Sequence, residues 1–318
     1  MVFVLALAMG SVRCAAGAAP QVETFRFAAG PSVVLRLDTF SGAIKVETDH
    51  QPEVRVEVIA TEQAGDAPVA RPRVEKVRTA TEVQASGEIR VTVRLEDRSP
   101  RWSLQSLPPV EVAVRVIVPT TCALDLTTAE GEIQLGELAG TARVSTGRGL
   151  IFCRQAGERL EAVTGAGDIV VSRAKGDVTL RTEQGSIRVG SVHGRAELIN
   201  RSGNVEVLVA RGGLLAKAEA GDIEAGFPRN LSGTYHLETS GGSIALAFDP
   251  ESSVRLEASS VWGKVTSKLP FQAVAGKLAS RRFTGILNTG EVTVSARADG
   301  GHVRVQSRPD PHLSTPVN

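Results

Sequence analysis

A glycine recurs every 18 residues between Gly131 and Gly221, at Gly131, Gly149, Gly167, Gly185, Gly203 and Gly221. Each opens the same phrase: glycine, any residue, an aliphatic, any residue, a second aliphatic. Self-similarity at a fixed short period marks a solenoid, in which each repeat buries its apolar face only against its neighbours. This constrains the architecture and argues against most enzyme classes, but it does not specify a ligand.

The repeat contains a finer one. Steps of 9 from Ile133 give Ile133, Ala142, Ile151, Leu160, Ile169, Val178, Ile187, Ala196, Val205, Leu214 and Ile223. Two residues further on, Leu135, Val144, Cys153, Ala162, Val171, Leu180, Val189, Leu198, Val207, Ala216 and Ala225 form a parallel series. Residues two apart on a strand share a face, so each 9-residue unit reads as one short strand with two inward residues, and two strands make one 18-residue coil. Coils stacked in register about 4.8 Å apart give an all-β, parallel β-solenoid (β-helix) with two sheets and a thin aliphatic core. Three residues before the first five of these glycines stands a polar residue, Thr128, Thr146, Thr164, Thr182 or Asn200, suited to a hydrogen-bonded corner ladder. The glycine itself suits a turn at positive φ.

The phrase persists with looser spacing at Gly242, Gly263, Gly290 and Gly301. Phe227 to Asn230 and Leu269 to Phe283 are expected to be longer corner loops. Upstream, Val54 to Val58, Ile89 to Val93 and Val110 to Val118 alternate as half-buried strands do. Thr39 to Val46 already follows the later repeat. This divides the chain into a signal peptide at residues 1–18, a first rung with a β-rich cap at 19–120, the repeat domain at 121–305 and a disordered tail at 306–318. A cap is expected because an uncovered solenoid end exposes sheet edges and core. Ser99 to Pro109, with Trp102, reads as a loop within it.

Composition agrees with a narrow core. Of 318 residues, 42% are hydrophobic but only 4% aromatic, and thin stacked sheets leave little room for rings. The net charge of +1 leaves no electrostatic footprint for nucleic acid. Val2 to Met9 is an apolar run too short to span a bilayer, and small residues follow it in an A-x-A pattern at Ala16 to Ala18. It reads as a secretory signal, although a basic segment before it is missing. Arg13 before Cys14 argues against lipid attachment. The mature chain, with no integral membrane segment, is therefore expected to be secreted or in the periplasm or cell envelope. Cys122 and Cys153 occupy different phases of the coil, which favours buried free thiols over a disulfide.

The repeated T-x-x-G-x-[IV]-x-[VL], as in Thr182 to Val189, follows an alternating valine strand that ends at Pro119. This combination resembles the bacterial "putative adhesin" family from about Val33 to Val305. The resemblance implies a β-solenoid domain of unknown function and a surface or envelope interaction role, with no catalytic residues to carry over. The chain departs from the family pattern near Leu269 to Gly285, where Trp262, Phe271 and Phe283 are locally dense.

Chemical motifs are sparse. There is no G-x-S-x-G, H-E-x-x-H or Walker loop. His50, His193, His236, His302 and His312 share no repeat column. No metal or cofactor is expected. The rival to a binding role is a polysaccharide lyase or hydrolase, because Glu206, Glu224 and Asp222 fall on adjacent rungs of an outward face beside Asn204 and Arg188. Paired carboxylates there could ligate calcium or act as acid and base. The simpler reading is a solvated face with an Arg188–Glu206 ion pair. Diagonal pairs Glu161–Arg181 and Glu197–Lys217 are expected on the other sheet. Leu150, Phe152 and Val170 face outward and need either a cover or a partner. The sequence thus points to a secreted or envelope-associated, non-catalytic binding or scaffold protein whose partner is an envelope protein or a polysaccharide.

Overall fold

The computed structural model describes residues 20–30, 33–62, 76–96 and 110–308. The expected signal segment, the Ser99–Pro109 loop, His312 and residues 309–318 lie outside that set. The regular elements are β-strands, and they fall into two compact units, Met1–Gly157 and Glu158–Asn318. In each unit two sheets enclose an aliphatic core. One holds the strands that follow a phrase glycine (the glycine sheet), and the other holds the strands carrying the polar column (the threonine sheet). The parallel β-solenoid read from the periodicity is the observed fold.

The first unit contains β1 (Gln21–Ala28), β2 (Val34–Thr39), β3 (Ala43–Asp49), β4 (Glu53–Glu62), β5 (Val77–Val83), β6 (Glu88–Leu95), β7 (Val110–Pro119), β8 (Ala123–Glu130), β9 (Ile133–Glu137), β10 (Thr141–Arg148) and β11 (Ile151–Ala156). Its glycine sheet runs β1-β4-β7-β3-β9-β11 and its threonine sheet β5-β6-β2-β8-β10. The rung formed by β2 and β3 therefore lies between the β6/β7 rung and the β8/β9 rung, parallel to both. Outside β6 and β7, strands β5 and β4 pair antiparallel, and β1 pairs antiparallel with β4. Val54, Val56, Val58 and Ala60 of β4 are buried, so this strand extends the core as well as covering its end.

The second unit contains β12 (Arg159–Ala166), β13 (Ile169–Ala174), β14 (Asp177–Gln184), β15 (Ile187–Val192), β16 (Ala196–Ser202), β17 (Val205–Ala210), β18 (Leu214–Ala220), β19 (Ile223–Phe227), β20 (Tyr235–Thr239), β21 (Ile244–Phe248), β22 (Val254–Ser260), β23 (Val265–Ser267), β24 (Gln272–Gly276), β25 (Arg282–Leu287), β26 (Val292–Ala298) and β27 (Val303–Ser307). Its glycine sheet runs β13-β15-β17-β19-β21-β27-β23 and its threonine sheet β12-β14-β16-β18-β20-β26-β22-β25-β24. The β26/β27 rung, last in sequence, lies between the β20/β21 and β22/β23 rungs. After β21 the chain skips one rung position, builds β22 to β25, then returns to fill the gap.

Two expectations change here. Leu269 to Phe283 is not a simple corner loop: β24 and β25 form an antiparallel hairpin on β22, with Leu269, Phe271 and Phe283 buried. Gly290 matches the phrase but precedes β26 of the threonine sheet, so it starts no glycine-sheet strand. The local sequence repeats, but which rung neighbours which is set by long-range pairing that periodicity does not encode.

The corner explains the 18-residue period. At Gly185, φ is +140° and a Cβ would sit 2.1 Å from the carbonyl oxygen of Gly167 on the preceding rung. Backbone stacks on backbone at this point and leaves no room for a side chain. The polar column then ties the rungs together. The Thr146 hydroxyl donates to Gly131 O at 3.1 Å, Thr182 to Gly167 O at 3.0 Å, and Thr239 to Gly221 O at 2.8 Å. Ser260 repeats the contact with Gly301 O at 2.6 Å. These hydroxyls are buried yet satisfied, as buried polar groups need to be.

The core is wider than two inward residues per strand. The threonine-sheet strands of the regular rungs bury three, such as Val178, Leu180 and Thr182 in β14. The glycine sheet adds a third apolar column beyond the first two: Leu138 and Ala156 in the first unit, and Ala174, Val192 and Ala210 in the second. Past Ala210 this position is taken by Phe227, which stacks on Phe248 at 4.7 Å and meets Tyr235 edge-on at 5.3 Å. Phe271 and Phe283 extend the cluster beneath the hairpin. The aromatic density that marked this stretch in the sequence thus fills a broader core end.

Candidate functional site

The outward carboxylates of the glycine sheet lie where the columns put them. Arg188 pairs in register with Glu206, and Glu206 with Glu224. The Arg188 guanidinium bridges Asp168 at 3.4 Å and Glu206 at 3.9 Å, all three side chains being substantially exposed. Asp222 is tied to the backbone: it accepts the Ser243 amide at 2.7 Å. Asn204 accepts the Asp222 amide at 3.0 Å, and Asp168 the Ser186 amide at 2.7 Å. The residue after the phrase glycine therefore caps the corner of the next rung. Among the described residues no group of three or more His, Cys, Asp or Glu is placed to hold a metal ion. His302 takes a structural part, its Nδ1 accepting the Lys264 amide at 3.0 Å.

A concave face lies on the threonine sheet of the second unit. Val163, Arg181, Ile199, Lys217 and Glu238 form one outward column across β12, β14, β16, β18 and β20. With Glu183, Arg201, Glu219 and Ser240 they line an open groove of about 530 Å³. Aliphatic and cationic side chains alternate along it, Val163 then Arg181, Ile199 then Lys217. Arg181 pairs with Glu197 at 3.0 Å, and Lys217 with Glu238 at 3.7 Å. Glu197 thus reaches back to Arg181 instead of forward to Lys217, the partner expected from spacing. Beneath the floor Asn200 donates to Gly185 O at 2.9 Å, while its buried Oδ1 has no hydrogen-bond partner.

Leu150 and Phe152, in the first unit, and Val170, in the second, are each half-buried. Phe152 lies in register with Gln134 and Val170 with Arg188. Cys122 and Cys153 are both buried and free. Burial pushes the Cys122 thiol up to about 11 and that of Cys153 up to about 12. Neither is a nucleophile at neutral pH.

A family model, Toastrack DUF4097, matches residues 42–306. The chain belongs to the Toastrack family. Three solved structures are similar to this Toastrack chain over most of its length. A crystal structure described as a putative cell adhesion protein from Clostridium sporogenes ATCC 15579 is 11% identical, covers 91% of this chain and 99% of its own, and has a TM-score of 0.26. A putative adhesin from Bacteroides fragilis NCTC 9343 is 10% identical, with 90% and 97% covered and a TM-score of 0.40. A putative lipid binding protein from Parabacteroides distasonis ATCC 8503 is also 10% identical, with 90% and 96% covered and a TM-score of 0.30. No curated protein matches the sequence. The Toastrack assignment agrees with the adhesin-like resemblance carried by the T-x-x-G phrase. Among the described residues no helix is long and apolar enough to cross a membrane.

Proposed function

We propose that this chain is a non-catalytic binding or scaffold protein, secreted or associated with the cell envelope, which holds an extended polymer along its threonine-sheet groove. The observation that carries this reading is the five-strand column from Val163 to Glu238, whose exposed or half-buried side chains repeat at the rung spacing of about 4.8 Å. Arg181 and Lys217 stand two rungs apart on it, roughly 10 Å by that spacing. A polymer with regularly placed acidic or hydroxyl groups could meet both, whether an envelope polysaccharide or an extended stretch of an envelope protein. Residues 1–18 are read as the export signal, and 19–120 as the first rung and its cap.

The alternative is a polysaccharide lyase or hydrolase acting through Glu206, Glu224 and Asp222. It is weaker because Asp222 is engaged by a backbone amide and Glu206 faces an arginine, so neither is arranged as a general acid or base. The binding reading is tested by a pull-down from envelope fractions and a polysaccharide panel, comparing wild type with Arg181→Glu/Lys217→Glu. A ligand captured by wild type and lost in the variant is expected. Undiminished capture by the variant would remove the groove from the account.

A further inference from the structure

From Ala258 to Gly290 the sequence holds no Asp or Glu but five cations, Lys264, Lys268, Lys277, Arg281 and Arg282, in a chain with 36 basic and 35 acidic residues. All five are exposed, and none makes a salt bridge among the described residues, although basic residues elsewhere in the second unit commonly do. The neighbouring carboxylates are already engaged. Glu257 pairs with Arg255 at 3.4 Å, Asp299 with Arg297 at 3.0 Å, and Glu291 accepts the Thr289 hydroxyl at 3.1 Å.

The same segment exposes apolar side chains. Trp262 is 78% exposed, and Val261 and Leu278 are also solvent-facing. Backbone hydrogen bonds bring these features together. Ser260 N donates to Arg281 O at 2.8 Å, Val265 N to Ser280 O at 2.8 Å, and Ala279 N to Val265 O at 2.7 Å. The turn from Lys277 to Arg281 is thereby pinned against the corner that carries Val261, Trp262 and Lys264. An indole and two aliphatic side chains standing in water amid unneutralised cations form an unpartnered surface.

We propose that this end of the second unit docks on an anionic lipid surface, with Trp262, Val261 and Leu278 seated at the headgroup boundary and Lys264, Lys277 and Arg281 against lipid phosphates. A lipid interface supplies both required chemistries: an amphipathic layer that accepts indole rings and negative charge that attracts clustered Lys and Arg. A soluble polyanion would satisfy the cations but leave the indole in water. This inference does not depend on what the threonine-sheet groove holds.

The test uses the full chain carrying Trp102→Phe, so that Trp262 is the only indole. Its emission is followed on titration with vesicles of phosphatidylcholine alone and of equal parts phosphatidylcholine and phosphatidylglycerol. A blue shift with the mixed vesicles only, reversed by added salt, is expected. Lys277→Glu/Arg281→Glu should weaken partitioning by ~30-fold or more, and Trp262→Ala by about tenfold when read by co-sedimentation. Both changes are at exposed side chains, and circular dichroism confirms the fold. The proposal is overturned by an absent shift, by an equal shift with phosphatidylcholine alone, or by a shift that survives the double charge reversal. It is also overturned if Trp262 is instead buried in a dimer that Trp262→Ala dissociates, or if heparin binds while the vesicles do not.

Discussion

The Thr182 hydroxyl donates to the carbonyl of Gly167, fifteen residues earlier, at 3.0 Å. The contact joins the end of one rung's strand to the turn of the preceding one. It requires a side-chain donor, a hydroxyl or the Asn200 amide, at one column and an unsubstituted Cα at another, so two chemically unrelated residues recur at the same period.

Replacing Thr182 with Val keeps the shape but removes the donor from a buried site. A loss of about 1–2 kcal/mol is expected, read as a lower urea midpoint with an unchanged slope. The converse change is Asn200→Thr. Asn200 stands in the same column and makes the same donation to Gly185 O, but with a buried, unpartnered Oδ1; a threonine there would keep the donor and remove the orphaned oxygen. It should raise stability by ~1 kcal/mol, seen as a higher Tm.

Gly185→Ala should cost about 2–4 kcal/mol. The positive φ and the 2.1 Å approach to Gly167 O both oppose a methyl group. Gly30 is the control, since a Cβ there meets nothing within 4 Å. Chemical denaturation of the two variants should separate them clearly.

The rungs and their faces are written in the sequence because a strand alternates and a rung repeats, both local properties. Cys153 falls in a core column, Glu206 on the outer face, and the Thr182 column at the corner, all as its phase requires. Rung order at the ends is not local. Nothing in the phrase at Gly301 tells it to settle beside Gly242, although a Cβ on Gly301 would lie 2.5 Å from Gly242 O. The groove was missed for a similar reason. Val163 and Ile199 alternate with Arg181 and Lys217, and a column of mixed chemistry carries no periodic hydrophobic signal.

The β26/β27 rung is predicted to exchange its amides slowly despite its nearness to the C-terminus. Each of its strands is paired on both sides, so releasing it requires opening two ladders. Hydrogen exchange should show β26 as protected as β20, and β24, whose residues are all exposed, among the first to open. Rapid exchange in β26 would contradict the rung order.

The buried thiols make stability sensitive to alkali. Their folded values, about 11 for Cys122 and about 12 for Cys153, lie above the ordinary 9.0. The unfolded chain therefore ionises first. The contribution is fully present below pH about 9 and is lost as pH rises through the folded values. Cys153→Val should flatten the fall in Tm above pH 9. In the native state neither thiol should react with Ellman's reagent at neutral pH.

The distinction between binder and enzyme is settled most directly by incubating the chain with each polysaccharide it retains and measuring bound ligand and released oligosaccharide together. The account predicts saturable binding with no product above the uncatalysed level, and identical behaviour of Glu206→Ala. Product release by wild type that disappears in Glu206→Ala would contradict it.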